Sequence, residues 1–251
     1  MIVENGLLPE REPRMASIDQ GAVQNRLLRA LRPEAFEMLQ PTLERVDLPL
    51  RSFQVETDQK TSHVYFLESG LGSVVARTGD DEAIEIGHVG FEGLSGAHCI
   101  LRLDTTPNQT FMQVRGEGIR TTVAALHRLM DEHSPSRDLF LHYVHCCELQ
   151  LAHSALANGR YNIGERLARW LLMCHDRLRV DDMPLTHEFL ALMLGVRRSG
   201  VTDHLHILEG ALAIKATRGA IHIRDRAKLL EMAGGCYGTP EREYNRLIGA
   251  L

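Results

Sequence analysis

Three textures of apolar and polar positions follow one another along the chain. Between Gln24 and Glu44, Leu27, Leu28, Leu31, Phe36, Leu39 and Leu43 recur near helical spacing, and Pro33 suits the first turn of a second short helix. From Arg45 to about Val123 the pattern shortens into apolar and β-branched runs, HVYFL, SVVAR, AIEIGHV and TFMQVRG, separated by Gly, Asp, Asn and Pro. Short strands so spaced predict an antiparallel β-roll or jelly roll. Helical spacing returns at Val123 and runs through SRDLFLHYVHCCELQLAHSALA, with Leu139, Tyr143, Cys146 or Cys147, Gln150 or Leu151, and Ser154 along one side. Its apolar content is broader than one packed face requires, which predicts an identical helix packed against it across a two-fold axis. NGRYN at 158–162 reads as a hinge. Beyond it, Leu167, Trp170, Leu171, Cys174 and Leu178 mark another amphipathic helix, which stops before Asp181, Asp182 and Pro184.

The most informative stretch is LTHEFLALMLGVRRSGVTDHL, residues 185–205. Thr186 is placed to cap a helix whose buried stripe is Phe189, Leu190, Met193 and Leu194, and Ala191 is small where a second helix crosses. Gly195 stands where the chain must reverse sharply, and Val196 follows to plug the turn. The next helix, from about Arg198, buries Val201, Leu205 and Leu208. It leaves Ser199, Thr202, Asp203 and His206 opposite, with Arg197 and Arg198 at its start. An apolar back with hydrogen-bonding side chains at the N-terminal end is what a recognition helix needs to reach base edges in the major groove. Arg198 is the predicted guanine reader, because its planar fork donates to both O6 and N7. ALAIKATRGAIHIRD then alternates around Arg218 and Gly219 as a two-stranded wing, bringing Lys215 and Arg218 toward phosphates. His204, flanking the buried stripe, and Gly200, inside a helix, fit this pattern less well.

Charge sharpens the picture. The 251-residue chain carries a formal −5, yet residues 160–230 hold 12 Lys and Arg against 8 Asp and Glu, so one segment is basic within an acidic protein. The length predicts two domains. No run reaches the roughly 18–20 apolar residues of a membrane span, and the first 20 residues lack the basic start and apolar stretch of a secretory signal. The five cysteines, Cys99, Cys146, Cys147, Cys174 and Cys236, are odd in number and scattered, which predicts free thiols in a reducing cytoplasm.

In order and motif the chain resembles the Crp/Fnr superfamily of transcription regulators. VYFLESGLGSVV in the roll, ERLARWLL after the hinge and LTHEFLALMLGVRRSGVT in the reader carry the likeness, over about residues 24–230. The resemblance implies an α+β fold: a β-roll sensor at 21–133, a long dimerisation helix and hinge at 134–159, and a winged helix-turn-helix with a C-terminal extension at 160–251, behind a disordered tail at 1–20. It implies a cytoplasmic homodimer that sets two recognition helices in successive major grooves, about 34 Å apart, on a near-palindromic site, with RNA polymerase as a further partner and no enzymatic activity.

The same likeness argues against two known effectors. Cyclic-AMP users in this family grip the cyclic phosphate with a Gly-Glu turn and a following Arg-Ser or Arg-Thr. Here Phe91 separates Gly90 from Glu92, and Asn108, Gln109 and Thr110 stand where the arginine is expected, with Arg102 out of register. The positions that face adenine fall on Leu151 and Ala152. Gly90, Glu92 and Gly93 remain the candidate effector contacts. No cysteine precedes Cys99, so the N-terminal ligands of the oxygen-sensing iron–sulfur branch are missing, and no cofactor is assigned. An alternative is a metal- or thiol-dependent sensor built on His142, His145, Cys146 and Cys147 of the central helix, against which stands ordinary packing in a helix seam. A third, more remote, is a cupin-like enzyme using His88, Glu92 and His98, whose spacing lacks the usual His-x-His pair.

Overall fold

The alternating runs fold as two four-stranded antiparallel sheets in the computed structural model, which describes residues 18–77, 79 and 83–249. One sheet contains β1 (Glu44–Leu48), β3 (His63–Leu67), β6 (Leu94–Ser95) and β8 (Gly116–Thr122), in the order β1-β8-β3-β6. The other contains β2 (Phe53–Val55), β4 (Leu71–Arg77), β5 (Ala83–Val89) and β7 (Gln109–Val114), in the order β2-β7-β4-β5. The lead-in forms α1 (Arg26–Ala30) and α2 (Pro33–Leu39), the latter opened by Pro33 as expected. Ile18 is buried, and the Gln20 amide donates to the carbonyls of Leu28 and Leu31, so order begins ahead of the expected limit of the tail. Residues 1–17 of that tail lie outside the described residues.

After the roll come α3 (Val123–Glu132) and α4 (Ser134–Arg160), separated at His133 by extended backbone. Pro135 explains the break, since its ring tolerates the first turn of a helix but not the interior. The expected hinge is narrower than NGRYN. The helix continues through Arg160, and only Tyr161 and Asn162 are extended before α5 (Ile163–Leu178). Asn162 Oδ1 accepts from the Glu165 N–H at 3.1 Å and Glu165 Oε2 accepts from the Asn162 N–H at 2.8 Å, a reciprocal cap that restarts the helix in a new direction.

The remainder contains β9 (Asp182–Met183), α6 (His187–Leu194), α7 (Arg198–Gly210), a hairpin of β10 (Ile214–Thr217) and β11 (Ala220–Ile223), α8 (Arg226–Met232) and α9 (Thr239–Leu247). The small sheet has the order β10-β11-β9. Two large cores result. Leu167, Trp170, Leu171, Leu190, Leu205 and Ile221 centre one, and Leu27, Phe36, Phe66, Leu126 and Phe140 centre the other. Each core takes one residue from across the molecule: Leu71 of the roll joins the first, and Tyr244 of α9 joins the second.

Candidate nucleic-acid interface

Thr186 Oγ1 accepts from the Phe189 N–H at 3.2 Å and so starts α6. Gly195 ends it at φ 62°, a left-handed conformation that lets the Val196 N–H reach back to the Ala191 carbonyl at 3.0 Å. This is the reversal expected at the glycine. The next helix, α7, buries Val201, Leu205 and Leu208 against α5 and α6, and it starts at Arg198 with Arg197 as its N-cap. Arg197 makes no side-chain cap to the first-turn amides.

The structure leaves most of the predicted contact residues open to solvent. Thr186, Arg197, Arg198, Ser199, Asp203, His206, Lys215 and Arg218 are exposed, and Thr202 is half-buried. An open cleft between α7 and the wing is lined by Thr186, Arg198, His206 and Arg218. Lys215 is on β10, and Arg218 is in the hairpin turn with Gly219 at φ 81°. Thr202 is partly engaged within the protein: its hydroxyl donates to the Arg198 carbonyl and lies 3.1 Å from His187 Nδ1. His187 and Thr217, which also line the cleft, were not among the predicted contacts. Their signal is weak in sequence, because a first-turn histidine and a wing threonine gain meaning only once α7 lies beside them.

The two awkward residues are explained by packing. His204 Nδ1 lies 2.7 Å from the Gly200 carbonyl, and its ring covers Gly164 at the start of α5. Gly200 faces Ile163 of the same turn.

The roll residues are placed differently. Glu92 is buried and receives Arg177 Nε at 2.7 Å from α5, while its carbonyl accepts from Tyr244 Oη at 2.6 Å. Burial pulls the Arg177 guanidinium down, but the charges of Glu92, Glu241 and Asp176 outweigh it and hold the group above its ordinary value. Gly90 and Gly93 are closely covered, since a Cβ at Gly90 would meet Arg177 at 2.8 Å and one at Gly93 would meet the Tyr143 hydroxyl at 2.2 Å. These three residues therefore meet α4, α5 and α9 of their own chain.

Beside them is a separate cavity of about 170 Å³ between the roll and α4. Val74, Ile86, Leu94 and Leu151 contribute apolar walls, and Ser95, His98, Asn108 and Thr110 contribute polar ones. The lining contains no Lys or Arg. Burial pushes the His98 imidazole below its usual range, against the opposing pull of Asp104. The Ser95 hydroxyl is buried without a protein partner.

A second buried cluster joins the roll to the reader. Trp170 Nε1 of α5 donates to Glu85 Oε1 at 2.7 Å, His88 Nε2 approaches the same oxygen at 2.7 Å, and Ser73 Oγ lies 2.5 Å from Glu85 Oε2. Within β5 Glu85 is buried while Ile84 and Ile86 are half-exposed, and the partner of the buried carboxylate is Trp170, 85 residues away.

The thiol alternative meets an unfavourable setting. Burial pushes Cys146 up to about 11 and Cys147 up to about 12, which suppresses the thiolate needed for reactivity. His142 and His145 are exposed on α4, and Cys146 is buried against α9. Among the described residues no three His, Cys, Asp or Glu side chains gather as a metal site, and no helix is long and apolar enough to cross a membrane.

Residues 165–232 match the Crp-like helix-turn-helix domain family. No curated protein matches the chain. Among solved structures, similarity extends to a protein from Eubacterium rectale assigned to the Crp/Fnr family of transcriptional regulators, at 15% identity over 84% of this chain and 99% of that one, TM-score 0.66. FixK2 from Bradyrhizobium japonicum gives 14% identity over 76% and 96%, TM-score 0.64. The c-di-GMP-responsive global regulator CLP of Xanthomonas campestris gives 17% over 83% and 100%, TM-score 0.61. Residues 165–232 thus carry a Crp-like helix-turn-helix domain, and the chain as a whole shares the fold of these solved structures.

Proposed function

We propose that this chain is a DNA-binding transcription regulator of the Crp/Fnr type, acting in the cytoplasm as a homodimer that reads a near-palindromic site and answers to an effector held by its β-roll. The observation that carries the reading is the exposed Arg197–Arg198 pair at the open start of α7, fixed by the left-handed turn at Gly195 and backed by a buried apolar face. Arg198 reads guanine. Ser199, Thr202, Asp203 and His206 meet neighbouring base edges, and Thr186, Arg197, Lys215 and Arg218 meet phosphates. The exposed Leu141, Leu151 and Leu156 on α4 support a second copy as the partner of that helix. So placed, the dimer acts on transcription through RNA polymerase.

The roll cavity favours an uncharged effector. A phosphate diester buried there would find no cation among the lining residues, and a buried charge without a partner is strongly disfavoured. That lining supports an effector other than cyclic AMP. The apolar walls and the free Ser95 hydroxyl suit a compact molecule with one hydrogen-bonding group.

The test is in vitro selection of duplexes with the full chain, followed by titration of Arg198→Ala. Loss of one bidentate guanine contact weakens the selected duplex roughly 5- to 150-fold, with a much smaller change on unrelated DNA. Equal losses on both would show that Arg198 meets only the phosphate backbone.

A further inference from the structure

The Crp-like helix-turn-helix match ends at residue 232, yet the chain continues into α9, which returns to the sensor side of the molecule. Helix α9 packs along α4, and Tyr244 is buried in the core formed by α1, α3, α4 and the roll. The Tyr244 hydroxyl donates to the Glu92 carbonyl at 2.6 Å, and the Glu92 carboxylate in turn receives Arg177 of α5. At its other end α9 is joined to α5 through the loop after α8, where Tyr237 hydrogen-bonds Asp176, a carboxylate that Arg226 at the start of α8 also holds.

From this path we infer that α9 is a releasable strap: it closes a loop from the reader back onto the sensor and holds the reader in one orientation on the roll. The inference rests on the regulator reading for its consequence at DNA, but not for the strap itself. Release is plausible on geometry because the seam is incompletely packed. A cavity of about 30 Å³ remains beneath α9, lined by Glu92, Tyr143, Cys147, Gln150 and Tyr244, and Glu92 Oε2 is buried there without a partner. His88, Tyr143, Cys147 and Gln150 line both this seam and the roll cavity, so one layer of side chains separates the strap from the space assigned to an effector. Gln150 clasps both backbone groups of His88, accepting from its N–H at 2.6 Å and donating to its carbonyl at 3.3 Å. A shift of that layer reaches the strap and the Glu85–Trp170 contact together.

The experiment compares the full chain with Tyr244→Phe, which deletes one hydroxyl, and Tyr244→Ala, which also empties its site. Hydrogen exchange is read separately in α6–α7 and in β3 and β8. The strap predicts exchange in α6–α7 faster by about tenfold in Tyr244→Ala and by a smaller factor in Tyr244→Phe, with β3 and β8 unchanged. Exchange within twofold of the full chain in both variants would overturn it. So would a rise of equal size in β3 and β8, which would make Tyr244 an ordinary core residue. On duplexes selected with the full chain and then respaced by one base pair, Tyr244→Ala should narrow the affinity gap between spacings at least threefold. Faster exchange with an unchanged gap would leave the strap intact and count against its proposed consequence for paired half-sites.

Discussion

The reader and the roll each carry polar and charged side chains in motif-like positions, but they use them in opposite ways. On the reader, Arg197, Arg198, Ser199, Asp203, Lys215 and Arg218 are exposed and, among the described residues, show no side-chain hydrogen bond or ion pair. In the roll, Glu85, His88 and Glu92 are buried and are held by Trp170 and Arg177 of the same chain. An exposed arginine keeps its hydration until a partner arrives, whereas a buried carboxylate must be paired during folding. The first set is therefore free to recognise something external, and the second set is committed to joining sensor to reader.

Substitutions can break that contrast in order of expected effect. The largest belongs to the committed set. Arg177→Ala strands the Glu92 carboxylate and should destabilise the fold by about 3–5 kcal/mol, measured by urea unfolding, with Glu92→Gln in the same chain restoring part of the loss. A change below about 1 kcal/mol would mean that water already reaches Glu92.

The turn comes next, because it lies where the two regions touch. Gly195→Ala places a Cβ in a left-handed conformation, costing roughly 1–2 kcal/mol, and brings it to 3.0 Å from Ile84 of β5. The expected result is a lowered midpoint of thermal unfolding together with weaker DNA binding, since the start of α7 depends on this geometry. A protein as stable as the parent would show that the turn relaxes and that the roll does not constrain it.

The smallest effect on stability belongs to the free set. Arg218→Ala should leave unfolding within about 0.5 kcal/mol of the parent. It should lower the slope of log affinity against log salt by about one, as expected for loss of a phosphate contact. Loss of stability here would move Arg218 into the committed set.

Much of the reader was legible in the sequence because its determinants are local. Thr186, Gly195 and the Arg218–Gly219 turn set a cap and reversals within a turn or two of their own position, so spacing along the chain reports them. The strands of the roll were legible for the same reason. The candidate site in the roll was not. Gly90, Glu92 and Gly93 look like a ligand turn until α4, α5 and α9 are packed over them, from residues 50 to 152 positions further on. Neither Glu85 nor Trp170 carries a local signal that it belongs to a buried hydrogen bond.

The sequence by itself determined the succession of elements, the cap and reversal before α7, and the cationic edge of the reader. Those follow from backbone sterics, hydrogen-bond capping and side-chain periodicity, which act over a few residues. Only the tertiary structure decided which polar groups remain exposed, where the roll keeps a cavity without Lys or Arg in its lining, and that α9 packs along α4 with Tyr244 against Glu92. The physical reason is that burial and pairing depend on what arrives from distant parts of the chain, and a carboxylate of one local sequence is a ligand contact or an internal anchor according to that neighbour.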